Sequence, residues 1–261
     1  TVTFTGSTRV GRAIASAGAA RGIPVHAEMG GKNAAVVLAD ADLDHAVTQI
    51  VAGAFASTGQ KCTATSRLIV ESTIFDDFID RLRTAVDALV VGNPLDPDVA
   101  MGPLVSAASR DAVLAGIENG LTGGASLVTT RPPQMELGGG HFVAPTVLDC
   151  REGGDALWET ELFGPVLAVR QAADPAAAFD MVNESEFGLS AAVFTRDIVT
   201  ALAAVDVLEV GMLHINSETA GADPHVPFGG VKGSALGPGE QGSAAREFYT
   251  RPSTVYLRGT R

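Results

Sequence analysis

Cysteine is scarce: the 261 residues hold only Cys62 and Cys150. Two cysteines cannot build a disulfide framework, so a reducing compartment is expected. Long apolar runs are also missing. The best candidate, residues 46–56, is broken by Thr48 and Gln49 and falls well short of the roughly 20 residues that span a bilayer. It reads as a buried helix. The opening TVTFTGSTRVGR lacks a basic start and a continuous apolar core, so it does not read as a signal peptide. The cytoplasm is the expected location, and no membrane is expected as a partner. Positive charge is short as well, with 18 Lys and Arg against 30 Asp and Glu, a net charge of −12. With no basic cluster to offset this, a nucleic acid or an anionic surface would repel the chain. The five histidines show no H-x-x-x-H spacing and there is no C-x-x-C, so no metal site is expected.

The composition is that of a globular protein, with 46% apolar and 18% charged residues. A chain this long buries roughly 70–75% of its unfolded surface. Strand-like and helix-like segments alternate. Residues 2–5, 24–28, 33–38, 67–70, 125–129, 142–149, 167–171, 190–195, 211–216 and 254–258 read as extended. Helices are expected from Ser7 or Thr8 to Ala20, from Asp42 to near Gly59, and from Ser72 or Thr73 to Leu89. Further helices are expected over 106–119, 175–183, 198–208 and up to Tyr249. This alternation predicts an α/β fold with a parallel-rich sheet flanked by helices. The chain also enters a strand at once, at Val2, which suggests neighbouring strands upstream. Residues 130–140, rich in Pro and Gly, read as a surface excursion.

Five segments could carry chemistry. Thr5-Gly6-Ser7-Thr8-Arg9-Val10-Gly11 lies between a strand and a helix, where backbone N–H groups suit a phosphate. Its spacing is not G-x-G-x-x-G, so a plain turn is an equal reading. Glu28 stands about 20 residues past Gly6, the interval at which a dinucleotide rule looks for a ribose ligand. A solvated loop carboxylate is the other reading. Cys62, in Gly59-Gln60-Lys61-Cys62-Thr63, is either a small buried hydrophobe or a thiol whose polar flank lowers its pKa. Glu161-Leu162-Phe163-Gly164-Pro165 is distinctive but silent about its role. Pro227-Phe228-Gly229-Gly230-Val231-Lys232-Gly233-Ser234 lacks the order of a Walker loop.

Taken in order, VTFTGSTRVG (2–11), EMGGKN (28–33), GQKCTA (59–64), ELFGPV (161–166), FGLSAAVFT (187–195), MLHIN (212–216) and PFGGVKGS (227–234) resemble the NAD(P)-dependent aldehyde dehydrogenase superfamily. The resemblance covers essentially the whole chain. It implies Cys62 as nucleophile and Glu28 as general base. It further implies Gly6, Ser7, Glu161 and Phe163 at an NAD or NADP cofactor, and Lys61, Thr63 and Phe228 at the aldehyde entrance. A glutamate at position 28 separates the hydrolytic members from those that pass the acyl group to coenzyme A. Segments 217–228 and 237–242 most resemble the α-ketoglutaric semialdehyde (2,5-dioxopentanoate) branch, which implies a bacterial enzyme. Ala235 and Gly239 depart from the family pattern, which has Gly and often a charged residue there.

Family members run nearly twice as long, so the chain resembles their C-terminal half. The resemblance divides it into a remnant of the Rossmann-type cofactor domain (1–32), a catalytic domain (33–228) and a C-terminal segment with an oligomerisation arm (229–261). A homodimer or homotetramer of the whole protein is implied. A folded piece that binds no cofactor alone is the rival expectation. A cysteine hydrolase would need a histidine beside Cys62.

Overall fold

The most apolar segments of the chain meet as neighbours in one sheet. The computed structural model describes residues 1–135 and 137–259. The chain opens with β1 (Val2–Thr5), α1 (Thr8–Ala19), β2 (Val25–Glu28) and β3 (Asn33–Val37). It continues through α2 (Leu43–Phe55), β4 (Thr65–Glu71), α3 (Phe75–Asp87), α4 (Ala107–Thr122), β5 (Ser126–Leu127), β6 (Thr146–Asp149), α5 (Asp155–Glu159) and β7 (Val166–Ala172). Then come α6 (Pro175–Asn183), β8 (Phe187–Gly188), β9 (Ser190–Phe194), α7 (Ile198–Val207), β10 (Met212–Ile215), β11 (Val231–Lys232), β12 (Ala235–Leu236) and α8 (Gly242–Tyr249).

Seven strands pair in the order β10-β9-β3-β4-β7-β6-β5, parallel except for β5 against β6. Side chains alternate between its faces. Ala34, Val36, Ile69, Ala168, Ala191 and Val193 enter a core with Val113 of α4, Leu157 and Trp158 of α5, and Phe179 of α6. Ala35, Val37, Leu68, Val70, Leu167 and Val169 enter a second core with Ile50 and Phe55 of α2 and Phe78 and Leu82 of α3. With both faces covered, the central strands can be continuously apolar, and each large buried side chain contributes about 1.5–3 kcal/mol. A smaller sheet, β1-β2-β12, has β2 in its centre, parallel to β1 and antiparallel to β12. β8 and β11 form a separate antiparallel pair.

Capping explains where helices start. Asp42 accepts from His45 N, Ser106 from Ser109 N, and Asp174 from Ala177 N with Pro175 in the first turn. Several expectations need correction. α2 stops at Phe55, and residues 56–59 form a separate kinked turn. α3 starts at Phe75 after a 3₁₀ turn over Ser72–Ile74, and neither Ser72 nor Thr73 caps it. β6 begins only at Thr146, because Pro145 has no N–H for the ladder. The expected last strand, Thr254 to Arg258, is not formed. Tyr256 and Leu257 are 89% and 92% exposed, and β-propensity without a neighbouring strand does not hold a strand. Among the described residues, no helix is long and apolar enough to cross a membrane.

Candidate active site

The chain passes from one sheet to the other in four residues. β2 ends at Glu28, β3 begins at Asn33, and Met29, Gly30, Gly31 and Lys32 between them are all buried. Around this crossing lies a cavity of about 390 Å³, lined by Thr5, Gly6, Ser7, Met29, Gly30, Cys62, Glu161 and Phe163. The end of β1, the turn before β4 and the loop before β7 thus converge on one space. At Gly6 a Cβ would stand 2.7 Å from the Phe4 ring, so any side chain there would clash.

Cys62 is set in place by its neighbours. Ser57, Thr58 and Gly59 form a left-handed run with φ of 53°, 60° and 65°, a conformation that a β-branched residue rarely adopts. Thr58 Oγ1 donates to Gly102 O at 3.2 Å, and Gln60 Oε1 accepts from Val105 N at 3.0 Å. Asn33 Nδ2 donates to Cys62 O at 2.8 Å and to Ala64 O at 2.9 Å, while its Oδ1 accepts from Ser190 N at 3.1 Å. Cys62 is half-buried. Burial pushes its thiol above the usual range, and the charges of Glu28 and Glu161 push the same way. The expectation that the polar flank lowers this pKa is therefore corrected: Lys61 is exposed and desolvation wins. Cys150 is 1% exposed, and burial pushes its thiol up to about 11.

Glu28 is 2% exposed. Its Oε1 lies 3.1 Å from His26 Nε2, and its Oε2 has no protein partner. Burial, then the charge of Glu240, pushes the carboxyl up to about 8. Glu161 Oε1 accepts from Gly31 N at 3.1 Å. Burial raises this carboxyl too, opposed by the Gly31 N–H and by Lys32. Lys32 is 3% exposed, and burial plus the charge of Arg67 lowers its ammonium to about 7. Arg67 in turn donates to Lys32 O at 2.8 Å, Met181 O at 2.9 Å and Val182 O at 3.0 Å, tying the crossing to the end of α6.

Five of the sequence-predicted residues therefore share one cavity: Gly6, Ser7, Cys62, Glu161 and Phe163. Glu28 lies just beyond its lining, against Gly229, where a Cβ would be 3.2 Å from Oε1. Lys61, Thr63 and Phe228 are not brought to this cavity. Thr63 is 4% exposed and its carbonyl accepts from Thr219 Oγ1 at 2.7 Å. Phe228 lines a separate groove with Met212, Leu213, His214 and Val226. Sequence reasoning passed over His26, Lys32 and Glu240. The signal for His26 was present, since a residue two before Glu28 on a strand shares its face.

The aldehyde dehydrogenase family model matches residues 1–255, and the chain belongs to that family. It is 41% identical to the α-ketoglutaric semialdehyde dehydrogenase of Bacillus subtilis (strain 168), over 98% of this chain and 53% of that protein. It is 42% identical to a phenylacetaldehyde dehydrogenase of Pseudomonas fluorescens, over 98% of this chain and 51% of that one. The solved structure of PnpE in complex with nicotinamide adenine dinucleotide is 33% identical with a TM-score of 0.90, covering 95% of this chain and 51% of that one. The chain thus spans about half the length of the relatives it matches.

Proposed function

We propose that the whole protein oxidises an aldehyde to a carboxylic acid with NAD or NADP, and that Cys62 and Glu28 carry the chemistry. The observation behind this reading is the single cavity that holds Cys62 together with Gly6, Ser7, Glu161 and Phe163, with the buried Glu28 next to its Met29 wall at the end of β2. The cavity also fits a cofactor. Gly6 leaves its wall free of side-chain bulk, and Glu161 presents a carboxylate that can accept from ribose hydroxyls. Gly6 and Ser7 would face the pyrophosphate and nicotinamide side, and Glu161 and Phe163 the nicotinamide ribose. Bound there, the nicotinamide supplies the hydride acceptor.

The chain's own part follows. The Cys62 thiolate adds to the aldehyde carbon, forming a thiohemiacetal, and the Cys62 N–H supports the oxyanion. Loss of hydride leaves a thioester on Cys62. Glu28 takes a proton from the water that attacks this thioester, the acid departs, and the thiol is restored. A base at position 28 favours water over coenzyme A as acyl acceptor. The substrate we favour is α-ketoglutaric semialdehyde, on the sequence of segments 217–228 and 237–242. The division into residues 1–32, 33–228 and 229–261 accompanies this reading. So do a cytoplasmic location and a homodimer or homotetramer joined through the exposed tail.

Rapid mixing of the active enzyme tests it. Glu28→Gln should give a burst of reduced cofactor and then stall, with steady-state turnover down by about 10²–10⁴-fold. Unchanged turnover would remove Glu28 from the mechanism, and a burst surviving in Cys62→Ala would remove Cys62.

A further inference from the structure

A buried carbonyl in a turn must find its hydrogen-bond donor outside the turn. Cys62 stands in such a turn. Ala64 N donates to Lys61 O at 3.1 Å, and this closing bond leaves the carbonyls of Cys62 and Thr63 without a partner in the turn. Three successive carbonyls are instead met by side chains from other segments. Asn33 Nδ2, at the start of β3, donates to Cys62 O and to Ala64 O. Thr219 Oγ1, in the segment after β10, donates to the carbonyl between them, Thr63 O, at 2.7 Å. A hydroxyl has one proton, so Thr65 is the donor in the 2.8 Å bond between Thr65 Oγ1 and Thr219 Oγ1. Ser190 of β9 closes the circuit: its N–H donates to Asn33 Oδ1 at 3.1 Å and its Oγ to Thr219 O at 3.0 Å. Asn33, Thr63, Thr65, Ser190 and Thr219 are all buried, Thr219 completely.

The surroundings are shaped to this ring. Gly53 of α2 faces it, where a Cβ would be 2.6 Å from Thr65 Oγ1 and 3.7 Å from Thr219 N. The ladder also slips beside it: Asn33 stands opposite Thr65 but Ala34 opposite Arg67, so Ser66 is an extra residue in β4. Bulges of this kind re-aim the side chains around them. Polar groups this deep are costly unless each is met, and a fully met network is rigid. The apolar faces of β3, β4 and β9 already hold the sheet together. What the ring adds is a fixed backbone on the C-terminal side of Cys62. We propose, resting on the reading of Cys62 as nucleophile, that Thr219 is a positioning residue whose hydroxyl, with the Asn33 amide, holds the Cys62 turn in its reactive geometry. Thr219 acts through the Thr63 carbonyl. With that carbonyl and its two neighbours held, Sγ and the Cys62 N–H keep one arrangement while charge moves onto the aldehyde oxygen. Reacting atoms must be aligned at about 3–3.5 Å, and a misplacement of about 1 Å costs on the order of 10²-fold.

The test uses the active holoenzyme with Thr219→Val, Thr219→Ser and Ser190→Ala, and Cys62→Ala as reference. Three readouts are taken: the rate of the burst of reduced cofactor, KM for the aldehyde, and Tm, the burst being read well below the Tm of each variant. Thr219→Val keeps the bulk but leaves Thr63 O unmet, so its burst should slow by about tenfold to a hundredfold. Its KM should stay within about twofold of wild type, the sign of a contact that matters in the transition state and not in binding. Thr219→Ser keeps the hydroxyl and should restore the burst to within about threefold of wild type. Ser190→Ala removes only the donor to Thr219 O and should slow the burst in the same direction, by about threefold or more. A wild-type burst in Thr219→Val, with no burst in Cys62→Ala, would overturn this proposal and leave Cys62 as nucleophile, whatever the change in Tm, because the ring would then only stabilise the fold. A burst as slow in Thr219→Ser as in Thr219→Val would overturn it as well, because the hydroxyl would not be the part that matters. A burst surviving in Cys62→Ala would overturn the reading of Cys62 itself. Should Thr219→Val fail to fold, Ser190→Ala decides, and a wild-type burst there overturns the proposal.

Discussion

Gly59→Ala is the sharpest probe of how the Cys62 turn is held. Gly59 has φ +65° and precedes Cys62 in the left-handed run. A Cβ there falls on the carbonyl of Gly164, 2.6 Å from its carbon, and 3.0 Å from Ala54 O. Both obstacles are backbone, so neither can swing aside. Gly22 provides the control, because it also has φ +65° but nothing within 4 Å of a Cβ. Alanine at either site carries the left-handed penalty, roughly 1–2 kcal/mol. Only Gly59 adds overpacking, roughly 1–3 kcal/mol, for a total of about 2–5 kcal/mol. At about 2–4 °C per kcal/mol for a chain of this size, Gly59→Ala should lower Tm by about 4–20 °C and Gly22→Ala by about 2–8 °C. Calorimetry at matched scan rates measures both. Because Gly164 follows Phe163 in the cavity wall, Gly59→Ala should also change the labelling rate of Cys62, whereas Gly22→Ala should not. Equal Tm losses would refute the packing of the Cys62 turn on the Glu161–Gly164 loop.

Iodoacetamide near neutral pH should label Cys62 well before Cys150, since Cys62 opens into a cavity and Cys150 is buried with a thiol near 11; equal rates would contradict that contrast. Arg67→Met strips the donor from three carbonyls, those of Lys32, Met181 and Val182. At roughly 1–3 kcal/mol for each unsatisfied group, denaturant unfolding should show a loss of about 3 kcal/mol or more, and a loss under about 1 kcal/mol would refute it. Stability should also depend on pH in two opposite windows. Glu28 is raised from 4.5 to about 8 when folded, so its contribution is full below 4.5 and is lost as pH rises through 8. Lys32 is lowered from 10.5 to about 7, so the unfolded chain binds the extra proton and stability rises between 7 and 10.5. Tm against pH should lose the first slope in Glu28→Gln and the second in Lys32→Met, and wild-type slopes in either variant would contradict that assignment.

The sequence was most informative where local signals coincide with packing. Asp174 and Pro175 mark the start of α6, and the apolar run from Asn33 marks β3, because a cap and a doubly buried strand each leave a strong local imprint. β12 is two residues long and exists only because β2 lies beside it, so no periodicity could reveal it. The tail at 254–258 shows the converse, with β-prone residues and no partner. The residues of the cavity were legible as motifs, but their electrostatics were not. Polar neighbours in sequence suggested an acidic Cys62, whereas burial and two carboxylates on distant segments act against it. Phe228 illustrates the same limit, since adjacency in a motif did not place its ring on the cavity.

Adjacent glycines such as Gly30 and Gly31 are commonly taken for a hinge. Here the space that a Cβ at Gly30 would occupy is filled by the Glu161 carboxylate. At Gly31 it is met by Asn33 Oδ1 and Cys62 O, each 2.9 Å away. The pair acts as a rigid spacer, wedged between groups from three other segments. The distance from the end of β2 to the start of β3 is therefore fixed by backbone geometry, with the Cys62 turn packed against it. The crossing itself has no room to flex, so any change in the shape of the cavity would come from the surrounding loops.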